Sequence, residues 1–297
     1  MMPEQHSFDI LWLGRRVRAA LAPGVRGTVL AVFRRSFYVE FDNGALACVG
    51  PEYMGAGPIN ALARLPDRID WRLSGLSVGE DVYVHVQCLR VGTLFGFEFE
   101  SALDWSPSAP ASGWTRQSIA AGLEELRRAA ENYDLSQGLA RLVDIHSPKG
   151  DIMLEHGRVA AAALWTWLVD IGNRGGAPPT ELRNLIGLGP GLTPSGDDFI
   201  GGAMIALHTL GHGELAAALA EWVLPISRER TGKISFAHLS CAADGEGGEA
   251  LHDAIAGVAA NDVSLIIAAI SSLDEIGHSS GWDALAGAVT GMSTLSV

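Results

Sequence analysis

The residue pattern of this chain changes once along its length, at a short segment rich in proline and serine, "DWSPSAPASGW" at residues 104–114. Before it, in residues 26–100, runs of β-branched and aromatic residues are typical of strands. After it, from residue 115 on, apolar residues recur at helical spacing. The pattern therefore predicts two different domains joined by a linker.

We expect an α+β protein, with a small antiparallel β domain followed by a mainly α-helical domain that carries a glycine-rich loop. The sequence Asp-Asn-Gly at residues 42–44 lies between two strand runs and favours a hairpin turn, because Asn and Gly tolerate positive φ angles. The expected bounds are 1–105 for the β-rich domain, 106–114 for the linker and 115–297 for the helical domain.

The charge balance disfavours one class of partner. The chain has a formal net charge of −13, and the residues after Arg116 carry 22 acidic and 10 basic side chains. Such an excess disfavours a nucleic-acid backbone or an anionic membrane as partner. The three widely spaced cysteines indicate neither a disulfide framework nor a zinc knuckle. The N-terminus differs from a signal peptide and no uncharged apolar stretch reaches spanning length, so we expect a cytoplasmic protein.

One segment of the helical half is unusually rich in glycine: "GLGPGLTPSGDDFIGG", residues 187–202. Its glycines let a ligand approach the main chain, and N–H groups at a helix N-terminus favour an anion. A dinucleotide fingerprint would need glycine in place of Leu192, and a Walker loop would need lysine in place of Asp197. The loop is therefore neither of these.

A helix start is predicted directly after this loop. Ser195 is expected as N-cap and Asp198 as its capping-box partner, which leaves Asp197 as a second carboxylate that the cap does not use. Gly201 and Gly202 each cost a helix roughly 1 kcal/mol relative to alanine. We therefore expect another helix or a ligand to approach that face closely.

The same pattern recurs near the C-terminus. Residues 280–287, "SGWDALAG", repeat the Ser-Gly-x-Asp-x-x-x-Gly spacing of residues 195–202, "SGDDFIGG". Two such helix starts could face one ligand. The alternative is that capping boxes with small packing residues simply recur in a glycine-rich helical protein.

Three further patterns are weaker. Thr231 and Ser235 share a helical stripe with Lys233 in the first turn, a set that suits a phosphate or carboxylate but equally an ordinary helix start. The run "GHSSG" matches a nucleophile elbow around Ser279, but "SLDEI" before it does not read as a buried strand. His208 and His212 have a metal-ligand spacing, yet we interpret them as helix-end histidines.

Taken together and in this order, "GLGPGLTPSGDD", "T-x-x-I-S" at residues 231–235 and "IGHSSGWDALAG" resemble the signature of the family of oxamate carbamoyltransferase subunit AllH. The resemblance covers the helical half well and the N-terminal strands only loosely. It implies a cytoplasmic protein of purine and allantoin breakdown. The implied reaction moves a carbamoyl group between oxalurate and phosphate, giving oxamate and carbamoyl phosphate, and the chain would act with other carbamoyltransferase subunits.

The resemblance implies no role for any single residue, so the site is a hypothesis from the residues themselves. Asp197 and Asp198 are the candidate catalytic residues, as groups that orient an amide nitrogen, act as base, or hold Mg²⁺ against a phosphate. The candidate substrate-binding residues are Gly189, Gly191, Thr193, Ser195, Gly196, Thr231, Lys233, Ser235, Ser280 and Asp283.

Two alternatives remain open. The chain could be a non-catalytic scaffold or regulatory subunit that binds a small anion and packs its glycine loop against a partner. It could also be a serine hydrolase that uses Ser279. The oligomeric state is left open.

Overall fold

The structure is a computed structural model that describes residues 6–66, 69–109, 111–144, 152–170 and 176–296. Contacts within the chain divide it into two compact units, Met1–Ser106 (unit 1) and Pro107–Val297 (unit 2). No helix in the described ranges is both long enough and apolar enough to cross a membrane.

The described part of unit 1 forms nine strands and one short helix. The strands are His6–Gly14 (β1), Arg26–Val32 (β2), Phe37–Phe41 (β3), Leu46–Pro51 (β4), Asn60–Ala63 (β5), Asp81–Val84 (β6), Cys88–Val91 (β7), Phe95–Glu98 (β8) and Leu103–Trp105 (β9), and the helix is Arg15–Ala20 (α1). The sheet order is β5-β4-β3-β2-β6-β7-β8-β1, and β1 also pairs with β5. Eight strands therefore close into a barrel, and β9 is added alongside β1.

The prediction of a small antiparallel β domain is wrong, because this barrel is mixed. Strands β1 and β8 run parallel, and so do β4 and β5. The antiparallel pairs include β2 with β3, β3 with β4, β6 with β7, and β7 with β8. Hairpin turns signal only pairs of neighbouring strands. The closure depends on β1, which precedes the predicted strand region and pairs with strands far along the chain, so no local signal indicated it.

The interior of the barrel is aromatic. Phe37, Val39 and Phe41 alternate inward along β3, as the two-residue period of a strand requires. Phe37 packs against the fully buried Trp71, whose ring lies 4.9 Å from that of Phe37 and 5.3 Å from that of Phe95. This packing gives unit 1 a hydrophobic core of its own.

Unit 2 is helical, as the apolar spacing predicts. Its helices are Arg116–Ala130 (α2), Ile152–Asp170 (α3), Ser195–Thr209 (α4), Gly213–Arg230 (α5), Lys233–Ala243 (α6), Glu249–Ala260 (α7), Val263–Asp274 (α8) and Ser280–Leu295 (α9). Helix α4 is buried along almost its whole length, which places it at the centre of the hydrophobic core.

The two copies of the repeated motif form the starts of α4 and α9, and these helices pack backbone against backbone. A Cβ built on Gly202 would lie 1.8 Å from the carbonyl oxygen of Ala284, and one built on Gly287 would lie 1.8 Å from that of Phe199. Thr193, just before α4, lies beside Ser280 at the start of α9, and Gly291 further along α9 lies against Ala203 and Ala206 of α4. The helices therefore run parallel, with their N-termini side by side. The close approach predicted at Gly202 is thus made by another helix.

Candidate functional site

The predicted capping box at the start of α4 is wrong. Pro194 occupies the N-cap position, and no side chain caps the helix. The loop supplies main-chain acceptors instead: the N–H of Gly196 donates to Leu188 O at 2.9 Å, and that of Asp197 donates to Pro194 O at 2.9 Å. Because these N–H groups are already bonded, the Ser195 and Asp198 side chains are released from capping and turn to other partners.

Asp197 is buried and accepts three hydrogen bonds. Its Oδ1 accepts from the N–H of Gly187 at 2.9 Å, and its Oδ2 accepts from the Thr231 hydroxyl at 2.5 Å and the Ser235 hydroxyl at 2.7 Å. One carboxylate therefore ties the glycine-rich loop to the start of α6. The hydroxyls of Thr231 and Ser235, which the sequence suggested as ligand donors, both donate to this carboxylate.

Asp198 has a different environment. Part of the residue reaches the surface, but its Oδ2 oxygen is buried and has no hydrogen-bond partner within the described structure. Burial raises the pKa of this carboxyl well above its usual range, and the nearby Asp283 and Asp197 carboxyls raise the pKa further. Hydroxyls of Ser280 and Thr193 oppose that rise. Asp198 is thus a carboxyl that burial favours in its protonated form.

Asp283 is the equivalent residue of α9 and is also buried. Its Oδ1 accepts from the N–H of Leu139 at 2.5 Å, and its Oδ2 accepts from the Ser279 hydroxyl at 2.8 Å. Burial raises the pKa of this carboxyl too, while hydrogen bonds from Leu139, Ser279 and Ser195 oppose the rise. We call Asp198 and Asp283 the carboxyl pair.

The serine at the start of each helix lies against the aspartate of the other helix. Ser195, the first residue of α4, bonds to Asp283 of α9, and Ser280, the first residue of α9, acts on Asp198 of α4. Thr193 in the loop lies 2.9 Å from Ser280, oxygen to oxygen. The repeated motif therefore produces a nearly two-fold arrangement of the two helix starts. That they face one ligand stays a prediction.

The structure also places the remaining predicted residues. Gly189 and Gly191 have positive φ angles of 119° and 97°, so both positions need the freedom of glycine. Gly196 packs against the main chain, since a Cβ there would lie 2.0 Å from Leu185 O. Lys233 begins α6 and is exposed. A ligand-binding role for these residues stays a prediction.

Sequence reasoning missed one part of the site. The main chain at Gly138 and Leu139 reaches the carboxyl pair: Leu139 donates to Asp283, and Gly138 has a φ of 58° and so little room that a Cβ would lie 2.3 Å from Asp283 Oδ1. A lone glycine before an apolar residue was the only signal. Nothing in the sequence linked it to an aspartate 144 positions further on.

The remaining candidates have structural partners. His208 bonds through Nε2 to Ala243 O at 2.9 Å, which fits a helix-end histidine. Ser279 follows helix α8 and donates to Asp283, so the strand that a nucleophile elbow requires is not there. Among the residues that the structure describes, no cluster of three or more His, Cys, Asp or Glu side chains could hold a metal ion.

These features define a class: a protein with a closed mixed barrel and a helical unit in which two parallel helix starts bury a pair of carboxyls. Residues 185–292 match the family model described as "Oxamate carbamoyltransferase subunit AllH". The resemblance to this family is confirmed over that segment, which contains α4, all but the last residues of α9, and the carboxyl pair. Searches of curated proteins and of solved structures found no match.

Proposed function

We propose that this chain is a subunit of a carbamoyltransferase of the oxamate type, and that the carboxyl pair holds the carbamoyl group. The family match supports the class of reaction, and both carboxyls lie inside the matched segment. One observation carries the choice of site: Asp198 Oδ2 is buried and has no hydrogen-bond partner in the part of the chain that the structure describes. Leaving such a group unpaired destabilises the folded protein by about 1–3 kcal/mol. A ligand that supplies the missing hydrogen bond would account for the unpaired group.

The chemistry of the reaction suits a protonated carboxyl. In the direction that forms carbamoyl phosphate, a phosphate oxygen attacks the carbamoyl carbon of oxalurate and loses its proton, and the bond from that carbon to the oxamate nitrogen breaks. The departing nitrogen needs a proton. Burial raises the pKa of Asp198 and so favours its protonated form. In this proposal Asp198 passes its proton to the departing nitrogen and takes up the proton that the attacking phosphate loses.

Asp197 has a positioning role in this proposal. All three of its hydrogen bonds go to the loop and to α6, so it fixes the loop that carries Thr193 beside the carboxyl pair. Thr193 and Ser280 then orient Asp198. The candidate catalytic residue of the adjacent aspartates is therefore Asp198.

The chain is expected to bind small anionic substrates such as carbamoyl phosphate or oxalurate, and to act with other carbamoyltransferase subunits. The alternative that the chain is a non-catalytic scaffold or regulatory subunit, whose glycine loop packs against a partner, stays open.

Calorimetric titration of the purified full chain with carbamoyl phosphate tests the proposal, in buffer with and without Mg²⁺. We expect saturable binding that Asp198→Asn weakens at least about tenfold, which corresponds to about 1.4 kcal/mol. The matched control is Asp253→Asn, because Asp253 is another helical carboxyl with a pKa raised by burial, but it lies on α7. Equal binding by the wild-type chain and Asp198→Asn would refute the assignment.

A further inference from the structure

We infer that the carboxyl pair recognises the nitrogen end of its ligand: it takes an uncharged H₂N–C=O group and excludes an oxyanion from the same position. This inference rests on the proposed function and states which end of the substrate this corner of the protein selects. It departs from the sequence-based expectation that the glycine-rich loop binds a phosphate or carboxylate through its amides.

Several main-chain N–H groups at the helix starts already donate to acceptors within the fold. An anion at a helix N-terminus binds to N–H groups that have no other acceptor. In α4 the N–H of Gly196 donates to Leu188 O, and those of Asp197 and Asp198 donate to Pro194 O at 2.9 and 3.1 Å. In α9 the N–H of Gly281 donates to Ile276 O at 3.5 Å. The first-turn donors of Gly196, Asp197 and Gly281, which a phosphate could otherwise use, therefore already have acceptors within the fold.

The carboxyl pair also has an acceptor to offer. Asp198 Oδ2 is buried and has no hydrogen-bond partner among the described residues, and an N–H donor can satisfy it. An oxyanion at this position would bring its negative charge close to the neighbouring Asp283 and Asp197 carboxyls. Like charges in a buried site repel strongly. When the proton of the carboxyl pair lies on another oxygen, the partner that suits Asp198 Oδ2 is therefore an uncharged hydrogen-bond donor.

The hydrogen-bonding groups of the carboxyl pair are complementary to those of an amide. A carbamoyl or primary amide group presents two N–H donors and one carbonyl acceptor. Two neighbouring carboxyls that retain one proton present the reverse set, one O–H donor and several acceptor oxygens. Burial raises the pKa of both members of the pair, which favours retention of that proton. The arrangement thus matches an amide and mismatches a carboxylate of the same shape.

Oxamate and oxalate form a matched pair of probes, because oxamate has an amide where oxalate has a second carboxylate. Titration calorimetry of the full chain should show oxamate binding at least about tenfold more tightly than oxalate. Asp198→Asn should remove this preference, because an asparagine amide can donate to a carboxylate. Asp253→Asn should keep it, since that residue lies on α7.

Equal affinity for oxamate and oxalate, or displacement of oxamate by inorganic phosphate, would overturn the inference. The proposed function would survive that result if carbamoyl phosphate still bound in an Asp198-dependent manner. Failure of oxamate and carbamoyl phosphate alike to bind would overturn both.

Discussion

Gly202 of α4 and Gly287 of α9 occupy equivalent positions in the repeated motif, and each lies against the backbone of the other helix at the residue that follows the paired aspartate. This reciprocal contact sets the spacing of the two helix starts. It therefore also sets the distance between Asp198 and Asp283, the carboxyl pair on which the proposed function depends.

Substitution of Gly202 by alanine should destabilise the helical unit by about 3 kcal/mol, because the new methyl group would meet the Ala284 carbonyl oxygen and push the helices apart. Gly201→Ala is the matched control: its Cβ would lie 3.5 Å from the Ala242 Cβ, an ordinary contact, and alanine is the better helix former. Urea denaturation of both variants measures the difference. Similar midpoints for the two variants would contradict the packing described.

Asp198→Asn should stabilise the protein at alkaline pH. The pKa of Asp198 is raised in the folded state, so its contribution to stability is present below the unfolded pKa of about 3.9 and is lost as pH rises through the folded value. Asparagine carries no charge and avoids that loss. Urea denaturation at pH 8 and pH 5 should show a gain over the wild-type chain that shrinks at the lower pH. A variant less stable than wild type at pH 8 would indicate that the carboxylate is structural.

Asp197→Asn should have the opposite effect on stability. Asparagine keeps one oxygen acceptor and presents N–H donors to groups that themselves donate, so about 2–3 kcal/mol should be lost at pH 7. Ser235→Ala removes one donor and should cost less. Thermal unfolding of both variants beside Asp198→Asn separates the two neighbouring aspartates; a stable Asp197→Asn protein would show that the loop is held by other contacts.

Two histidines, the buried His252 and the partly buried His238, should make the protein sensitive to mild acid. Burial lowers the pKa of His252 and of His238 to about 4, whereas an unfolded histidine titrates near 6.5. The unfolded state then binds more protons between these values, so stability is complete above about pH 6.5 and falls as pH drops toward 4, by up to about 1.4 kcal/mol per pH unit for each histidine. His252 Nε2 also accepts from the N–H of Gly247 at 3.1 Å, a bond that protonation would break.

The test is the unfolding free energy of wild type and His252→Gln at pH 7.5 and pH 5. The wild-type chain should lose more stability between these values than the variant. Parallel losses in both proteins would assign the acid sensitivity to other groups.

The helices of unit 2 follow from local residue patterns, so the predictions agree best with the structure there. The Ser-Gly-x-Asp-x-x-x-Gly repeat indicated two helix starts, each followed by a glycine that leaves the backbone uncovered. In the structure these two glycines, Gly202 and Gly287, each pack against the backbone of the other helix. The capping box failed because the N–H of Asp198, which Ser195 was expected to cap, donates instead to the main-chain oxygen of Pro194. That competition depends on the loop conformation, which side-chain patterns do not encode.

Long-range pairings were harder to predict. The barrel closes through β1, whose partners β5 and β8 lie far along the chain, and the carboxyl pair includes the backbone of Leu139, 144 residues before Asp283. Hydrophobic periodicity specifies which residues face inward but not which distant segment they meet. Both misses are of this kind.

The central claim is that the carboxyl pair binds a carbamoyl or amide group through Asp198. A crystal structure of the full chain with oxamate tests it most directly. We predict electron density for oxamate between the starts of α4 and α9, with its amide nitrogen about 3 Å from Asp198 Oδ2. Oxamate bound elsewhere, or bound there with its carboxylate toward Asp198, would contradict the account.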